Sequence, residues 1–330
     1  MAKPTKTTKK NKTQPKFIYL DSSDNQIINK KELARLNSIG VPPRYHNVVL
    51  SDNANSHILA IGRDDRNRQQ YIYNPKITKR NKALKYENVV ALGRNIAKIR
   101  TDIRRILLAL HKQPFNSWEQ PRAMVAIIVH LLDCCNFRVG NIKYVAENGT
   151  YGCSTLCRKH IKLDSKTHTI HIKFVGKKNV INTCSITDTQ LFGILKKLIA
   201  NRNNFLFATD SATGEPIGSD EIYSFLQAYD SQITPKMFRT WNANYHFIDK
   251  VRADIKNSTI PRDSRNKRAY INDCCLHVSS KLHNTASVSK ENYISNILME
   301  KFTRNNGLVN LLESPKYADL STDAILLKLM

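Results

Sequence analysis

Apolar and polar residues follow two different rhythms along this chain. From Phe17 to Tyr73 the apolar positions come in short, alternating runs: Phe17-Ile18-Tyr19-Leu20, Gln26-Ile27-Ile28, Val48-Val49-Leu50, His57-Ile58-Leu59-Ala60-Ile61 and Gln69-Gln70-Tyr71-Ile72-Tyr73. Polar turns such as Asp21-Ser22-Ser23-Asp24-Asn25 and Arg63-Asp64-Asp65-Arg66-Asn67 separate some of them, which predicts strands. Beyond Val89 the spacing changes. Val89, Leu92, Ile96, Ile99, Ile103, Ile106, Leu107 and Leu110 recur mostly at three- and four-residue intervals and predict a long amphipathic helix. Arg94, Lys98, Arg100, Arg104 and Arg105 are expected on its outer face. Ser117-Trp118-Glu119-Gln120 with Pro121 predicts a second helix start, leading through Cys135. Thr155–Leu163, His168–Val175 and Val180–Ile186 then predict a three-stranded patch, and the pattern is helical again from about residue 188.

The fold class expected is therefore α+β. A small β-rich N-terminal domain over 17–80 precedes a mainly helical C-terminal domain over 81–330 that carries a three-stranded sheet. Residues 1–16 form a Lys/Thr/Pro-rich leader expected to be disordered, and Asn74–Lys82 reads as a basic linker. No internal repeat is visible.

Composition narrows the function. The 330 residues carry 52 Lys and Arg against 27 Asp and Glu, a formal charge of +25. Such an excess implies a polyanionic partner, because every phosphate contacted releases a counterion. With 41% hydrophobic residues the chain can also bury a proper core. Seven cysteines, an odd number, and no secretory signal point to reduced thiols inside a cell. No apolar run is long enough for a membrane span. Cys153-x3-Cys157-x2-His160 has zinc-like spacing, but it lies in a strand pattern without a second ligand pair, so buried thiols are expected instead of a metal. Neither a Walker loop nor a carboxylate cluster of metal spacing is present, which disfavours an ATP-driven motor and a two-metal nuclease.

Cutting a phosphodiester without metal or nucleotide needs an aligned nucleophile, cations for the pentavalent state and an acid for the leaving alkoxide. Arg138 follows a helix end beside Gly140, where a lone arginine is ordinarily a surface residue. Lys177 sits at a hairpin tip, the usual place of a solvated turn lysine. Thr234 and Pro235 start a helix that places Lys236 and Arg239 on one face. Asn284 ends another helix, and Tyr293 is expected in the first turns of a helix capped by Ser289. A tyrosine is a core residue by default, yet Ser, Lys, Glu and Asn surround this one.

Taken together these motifs resemble the poxvirus-type (type IB) DNA topoisomerases of large DNA viruses and some bacteria. The resemblance rests on Arg138-Val139-Gly140 with Tyr144 behind it, Asn148–Leu156, Phe174–Lys178, Lys236–Thr240 and Asn284–Tyr293. It implies a tyrosine recombinase/topoisomerase IB-like fold, double-stranded DNA as partner, no cofactor or metal, and a monomer. It implies an intracellular location as well: for a viral protein, the virion, the host cytoplasm or the nucleus. It makes Tyr293 the nucleophile of a 3′-phosphotyrosyl link, Arg138 and Arg239 the phosphate clamps, and Lys177 the general acid. Asn284 stands where poxvirus members have a histidine, and an amide cannot titrate. His283 is expected to face a different side of the helix end. Gln70, Tyr71, Tyr73, Lys143, Tyr144 and Lys236 match DNA-contacting positions of the family. A tyrosine recombinase shares the nucleophile but normally carries His-x-x-Arg where this chain has Lys236-x-x-Arg239. A non-enzymatic architectural protein explains the charge alone.

Overall fold

The computed structural model describes residues 3–6, 17–118, 120–200, 204–208, 214–261, 264–304 and 307–330. It is an α+β chain that divides into two compact units, Met1–Lys85 and Tyr86–Met330.

The first unit holds β1 (Lys3–Lys6), β2 (Phe17–Leu20), α1 (Lys30–Ser38), β3 (His46–Leu50), β4 (Ile58–Arg63) and β5 (Gln69–Tyr73). β1 pairs antiparallel with β2, and β3-β4-β5 form an antiparallel sheet. The described part of the leader is thus a strand, and its remaining residues lie outside those described. Gln26-Ile27-Ile28, expected as a strand, makes only a single bridge, Leu20 to Gln26. Asn29 caps α1 by accepting from the Lys31 and Glu32 amides, and α1 brings Leu36 onto the sheet core of Tyr19, Val48, Leu50 and Ala60. The alternating pattern gave no sign of this helix, whose only fully covered side chain is Leu36.

α2 (Pro75–Lys112) takes up the stretch expected as a linker: Asn74 accepts the Lys76 amide, and Pro75 stands at the first helical position. The division between the units falls within this helix. The second unit continues with α3 (Gln120–Cys135), α4 (Ile142–Asn148), β6 (Ile161–Asp164), β7 (Thr169–Gly176), β8 (Val180–Thr187), α5 (Thr189–Ala200), α6 (Ser219–Gln227) and α7 (Pro235–Lys256). It closes with α8 (Ser264–Leu282), α9 (Ala286–Asn292), α10 (Asn296–Thr303), α11 (Gly307–Glu313), α12 (Pro315–Ala318) and α13 (Thr322–Leu329). β6-β7-β8 are antiparallel. β6 is shorter than its apolar run, because 158–160 form a single 3-10 turn.

The core of this unit is built on the α2 stripe from Val89 to Leu110 and on α3, where Ala123–Leu132 is buried except for half-buried His130. Arg100 is the exception among the outward arginines. It pairs with Asp133 at 2.6 Å and Asp323 at 2.7 Å, and Asp323 also accepts from Trp241 Nε1 at 2.7 Å, tying α2, α3, α7 and α13 together. The expectation of reduced thiols is corrected at one pair. The end of α3 packs on β8 with Cα atoms 5.7 Å apart, and Cys135 and Cys184 form a disulfide.

Two imidazoles in this unit, His160 and His246, are held down to about 4, chiefly by burial. The unfolded chain takes up these protons near pH 6.5, whereas the folded chain resists them until about pH 4. Stability is therefore full above 6.5 and falls as pH drops through that window. Thermal midpoints should decline between pH 6.5 and 4, and less steeply for His160→Gln. A variant with the parent's slope would contradict neutral burial of His160.

Candidate active site

Arg138 leaves α3 on a loop that needs Gly140, whose φ is +104° and whose missing Cβ leaves room for Thr155 Oγ1. The Asn148–Leu156 motif forms the shelf beneath. Cys153 N donates to Arg138 O at 2.7 Å and Ser154 N to Val139 O at 2.6 Å, while Tyr151 N reaches Val175 O on β7 at 2.8 Å. The motif thus fixes the Arg138 loop and the β7–β8 hairpin against each other. At the hairpin tip Lys177 is exposed, and Lys178 and Asn179 take left-handed φ to close the turn.

α7 starts as its sequence predicts, with Thr234 at the cap and Pro235 first. It carries Lys236 outward and Arg239 inward. Arg239 is only 2% exposed, and its guanidinium donates to Asn136 O and to Leu282 O, the latter at 2.7 Å. Burial and the neighbouring Arg138 lower its pKa to about 10. Tyr293 is not in the first turns of a helix as expected. Thr285, not Ser289, caps α9, and Tyr293 is the residue that ends it. Its ring lies against Arg239, 5.2 Å from the guanidinium carbon. Burial alone would raise the phenol. The Arg239 charge and hydrogen bond, with Arg138 and Lys236 behind them, outweigh it and hold the pKa below 10.0.

Asn284 accepts from Arg138 Nη2 at 3.2 Å, and its own Nδ2 is buried without a partner. One cleft of about 910 Å³ is lined by Arg138, Lys177, Lys236, Arg239, Asn284 and Tyr293 together. His283 lines it too, contrary to the expectation that it faces elsewhere.

The remaining candidates are not among the residues that line this cleft. Lys143 and Tyr144 are exposed on α4. In the first unit, Tyr71 and Tyr73 stack at 6.1 Å on the exposed face of β5. Gln70 points to the other face and donates to Asp64 at 2.9 Å; Gln69 instead shares the aromatic face, donating to Tyr71 Oη at 2.7 Å. Strand alternation alone separates 70 from 71 and 73.

Sequence reasoning passed over Asn244. It is fully buried on α7, donates to Tyr293 O at 2.9 Å and accepts from Ser295 N at 2.7 Å, so it holds the backbone from the carbonyl of the cleft tyrosine to the amide two residues on. An asparagine five residues after Arg239, between apolar residues Trp241, Ala243, Phe247 and Ile248 of the helix interior, was the available signal. Asn244→Ala leaves two buried backbone groups unpaired. It should slow single-turnover cleavage about 10- to 100-fold while DNA affinity holds. An unchanged cleavage rate would remove this positioning role.

A family profile described as eukaryotic DNA topoisomerase I, catalytic core, matches residues 74–310. The chain belongs to this family and is a type IB topoisomerase. A second profile, bacterial DNA topoisomerase IB N-terminal domain, matches residues 16–64. The chain is similar to DNA topoisomerase 1B of Acanthamoeba polyphaga mimivirus, 27% identical over 301 residues that cover 89% of this chain and 87% of the relative. It is also similar to DNA topoisomerase 1 of rabbit fibroma virus (26% over 282 residues; 82% and 81% covered) and DNA topoisomerase 1B of vaccinia virus, strain Copenhagen (25% over 280 residues; 83% and 82% covered). Both profiles and these relatives are type I topoisomerases, so the tyrosine recombinase and architectural readings lose ground.

Proposed function

We propose that this topoisomerase relaxes supercoiled duplex DNA by nicking one strand, letting it swivel and resealing it. The Tyr293 phenol loses its proton to solvent as its oxygen attacks the scissile phosphorus, and the bond to the 5′ oxygen breaks. A 3′-phosphotyrosyl link forms and Lys177 gives its proton to the departing 5′ oxygen. Arg138 and Arg239 hold the non-bridging oxygens, and the unpartnered Asn284 Nδ2 donates to one of them. Religation runs the same steps backwards. The phosphotyrosine conserves the bond energy, so this route uses neither ATP nor a metal.

The observation that carries the reading is the single cleft shared by Tyr293, Arg138, Arg239, Lys177 and Asn284, with the phenol already against a guanidinium. The second unit is proposed to share the tyrosine recombinase/topoisomerase IB fold, and residues 17–80 to clamp DNA. Tyr71 and Tyr73 would meet the major groove, and Lys143, Tyr144 and Lys236 the backbone near the cut. No helix among the described residues is long and apolar enough to cross a membrane. The enzyme is proposed to act as an intracellular monomer. The test is a suicide duplex whose short 3′ fragment diffuses away after cleavage. A covalent protein–DNA adduct on Tyr293 is expected, and its absence under conditions of tight binding would overturn the mechanism.

A further inference from the structure

The hairpin that carries Lys177 reaches into the cleft with an exposed tip: Lys177, Lys178, Asn179 and Val180 are all exposed, so the packing that aims the ammonium must come from lower down the arm. One side chain bridges that lower part to the opposite wall. His283 follows α8 with a left-handed φ of +52°, the conformation that lets Asn284 N close the helix end on Ser279 O at 3.0 Å. A non-glycine residue held there points to a demand on its side chain. The ring lies beside the backbone of Thr183 on β8, the residue paired with Lys173 of β7. It also lies 6.1 Å from the ring of Phe137, the neighbour of Arg138, and Phe137 packs edge-on at 4.9 Å against Phe174, three residues before Lys177. His283 thus touches the Arg138 segment and the Lys177 arm while its own backbone leads into Asn284.

We propose that His283 is a positioning residue that ties the β7–β8 arm to the Asn284 turn and so sets the reach of Lys177 toward the leaving oxygen. The proposal rests on reading Lys177 as the general acid. Burial, with Arg239 and Arg138 close by, holds the imidazole below its ordinary value. A neutral ring can keep one N–H for a backbone tether without adding another cation at the phosphate.

The test compares two scissile linkages in single-turnover cleavage by the full chain: the natural 5′ oxygen and a 5′ sulfur, whose thiolate leaves without protonation. Lys177→Ala should be slow on oxygen and recover on sulfur. If it does not recover, the acid assignment itself fails, whatever His283 does. His283→Phe keeps the ring and loses the tether. It should slow the oxygen substrate about tenfold and leave the sulfur substrate within about twofold. His283→Gln, which retains a donor, should fall between it and the parent on oxygen. With Lys177→Ala recovering as stated, equal slowing of both substrates by either His283 variant, or no slowing by His283→Phe, overturns the tether. Should His283→Phe not fold, His283→Gln decides by the same oxygen-to-sulfur ratio.

Discussion

Tyr293→Phe is expected to leave no detectable plasmid relaxation and no covalent adduct, while duplex affinity stays within about threefold of the parent. The substitution removes one oxygen and keeps the ring that packs against Arg239, so the fold and the basic cleft are retained. What disappears is the only atom proposed to bond to phosphorus. Losing a nucleophile costs about 10⁴-fold or more where the remaining groups act only in concert with it. Relaxation is read as a ladder of topoisomers from one supercoiled plasmid, and affinity from fluorescence anisotropy. Relaxed topoisomers made by the purified variant would transfer the nucleophile to another residue and dismantle the mechanism built on this cleft.

Arg239→Ala should be the next most damaging change, at about 10²–10³-fold in single-turnover cleavage, the range found when one donor to a developing charge is deleted. This arginine has two further tasks. It satisfies the carbonyls of Asn136 and Leu282, which end or follow α3 and α8, and it is the strongest influence pulling the Tyr293 phenol down. Removing it leaves those carbonyls buried without a donor, so stability falls as well. It also lets the phenol climb back toward or above 10.0, because burial then goes unopposed by its nearest cation. Residual cleavage should therefore rise with pH over a more alkaline range than in the parent. Arg239→Lys should rescue little, since one ammonium cannot donate to both carbonyls and still face the ring and a phosphate. A pH profile unmoved by Arg239→Ala would mean that the guanidinium does not activate the phenol.

Much of the frame could be read directly from residue patterns, and the misses share a physical origin. The α2 stripe, the α7 start at Thr234-Pro235 and the hairpin of β7 and β8 are local: periodicity, caps and turns settle them within a few residues. The start of α2 was misplaced because Lys76–Lys82 is too polar to show a stripe, although Asn74-Pro75 carried a cap signal. Tyr293 was put at the wrong end of α9 because Ser289 and Thr285 are equally good caps on paper. The structure chose Thr285, and Ser289 is buried. Gln70 joins Tyr71 and Tyr73 through the family resemblance, and it is strand alternation that sets it on the other face of β5.

The chain by itself determined the α+β layout, the basic charge that calls for a polyanion, and the set of polar residues worth testing. These depend on composition and short-range order. Only the tertiary structure decided that Arg138, Lys177, Arg239, Asn284 and Tyr293 line the same cleft, that Asn244 grips the tyrosine backbone, and that His283 reaches across to β8. Those contacts join segments far apart in sequence, and no spacing rule encodes them. They follow from how α3, α7, α8 and the hairpin bury their apolar faces on one another, which is a property of the packed whole.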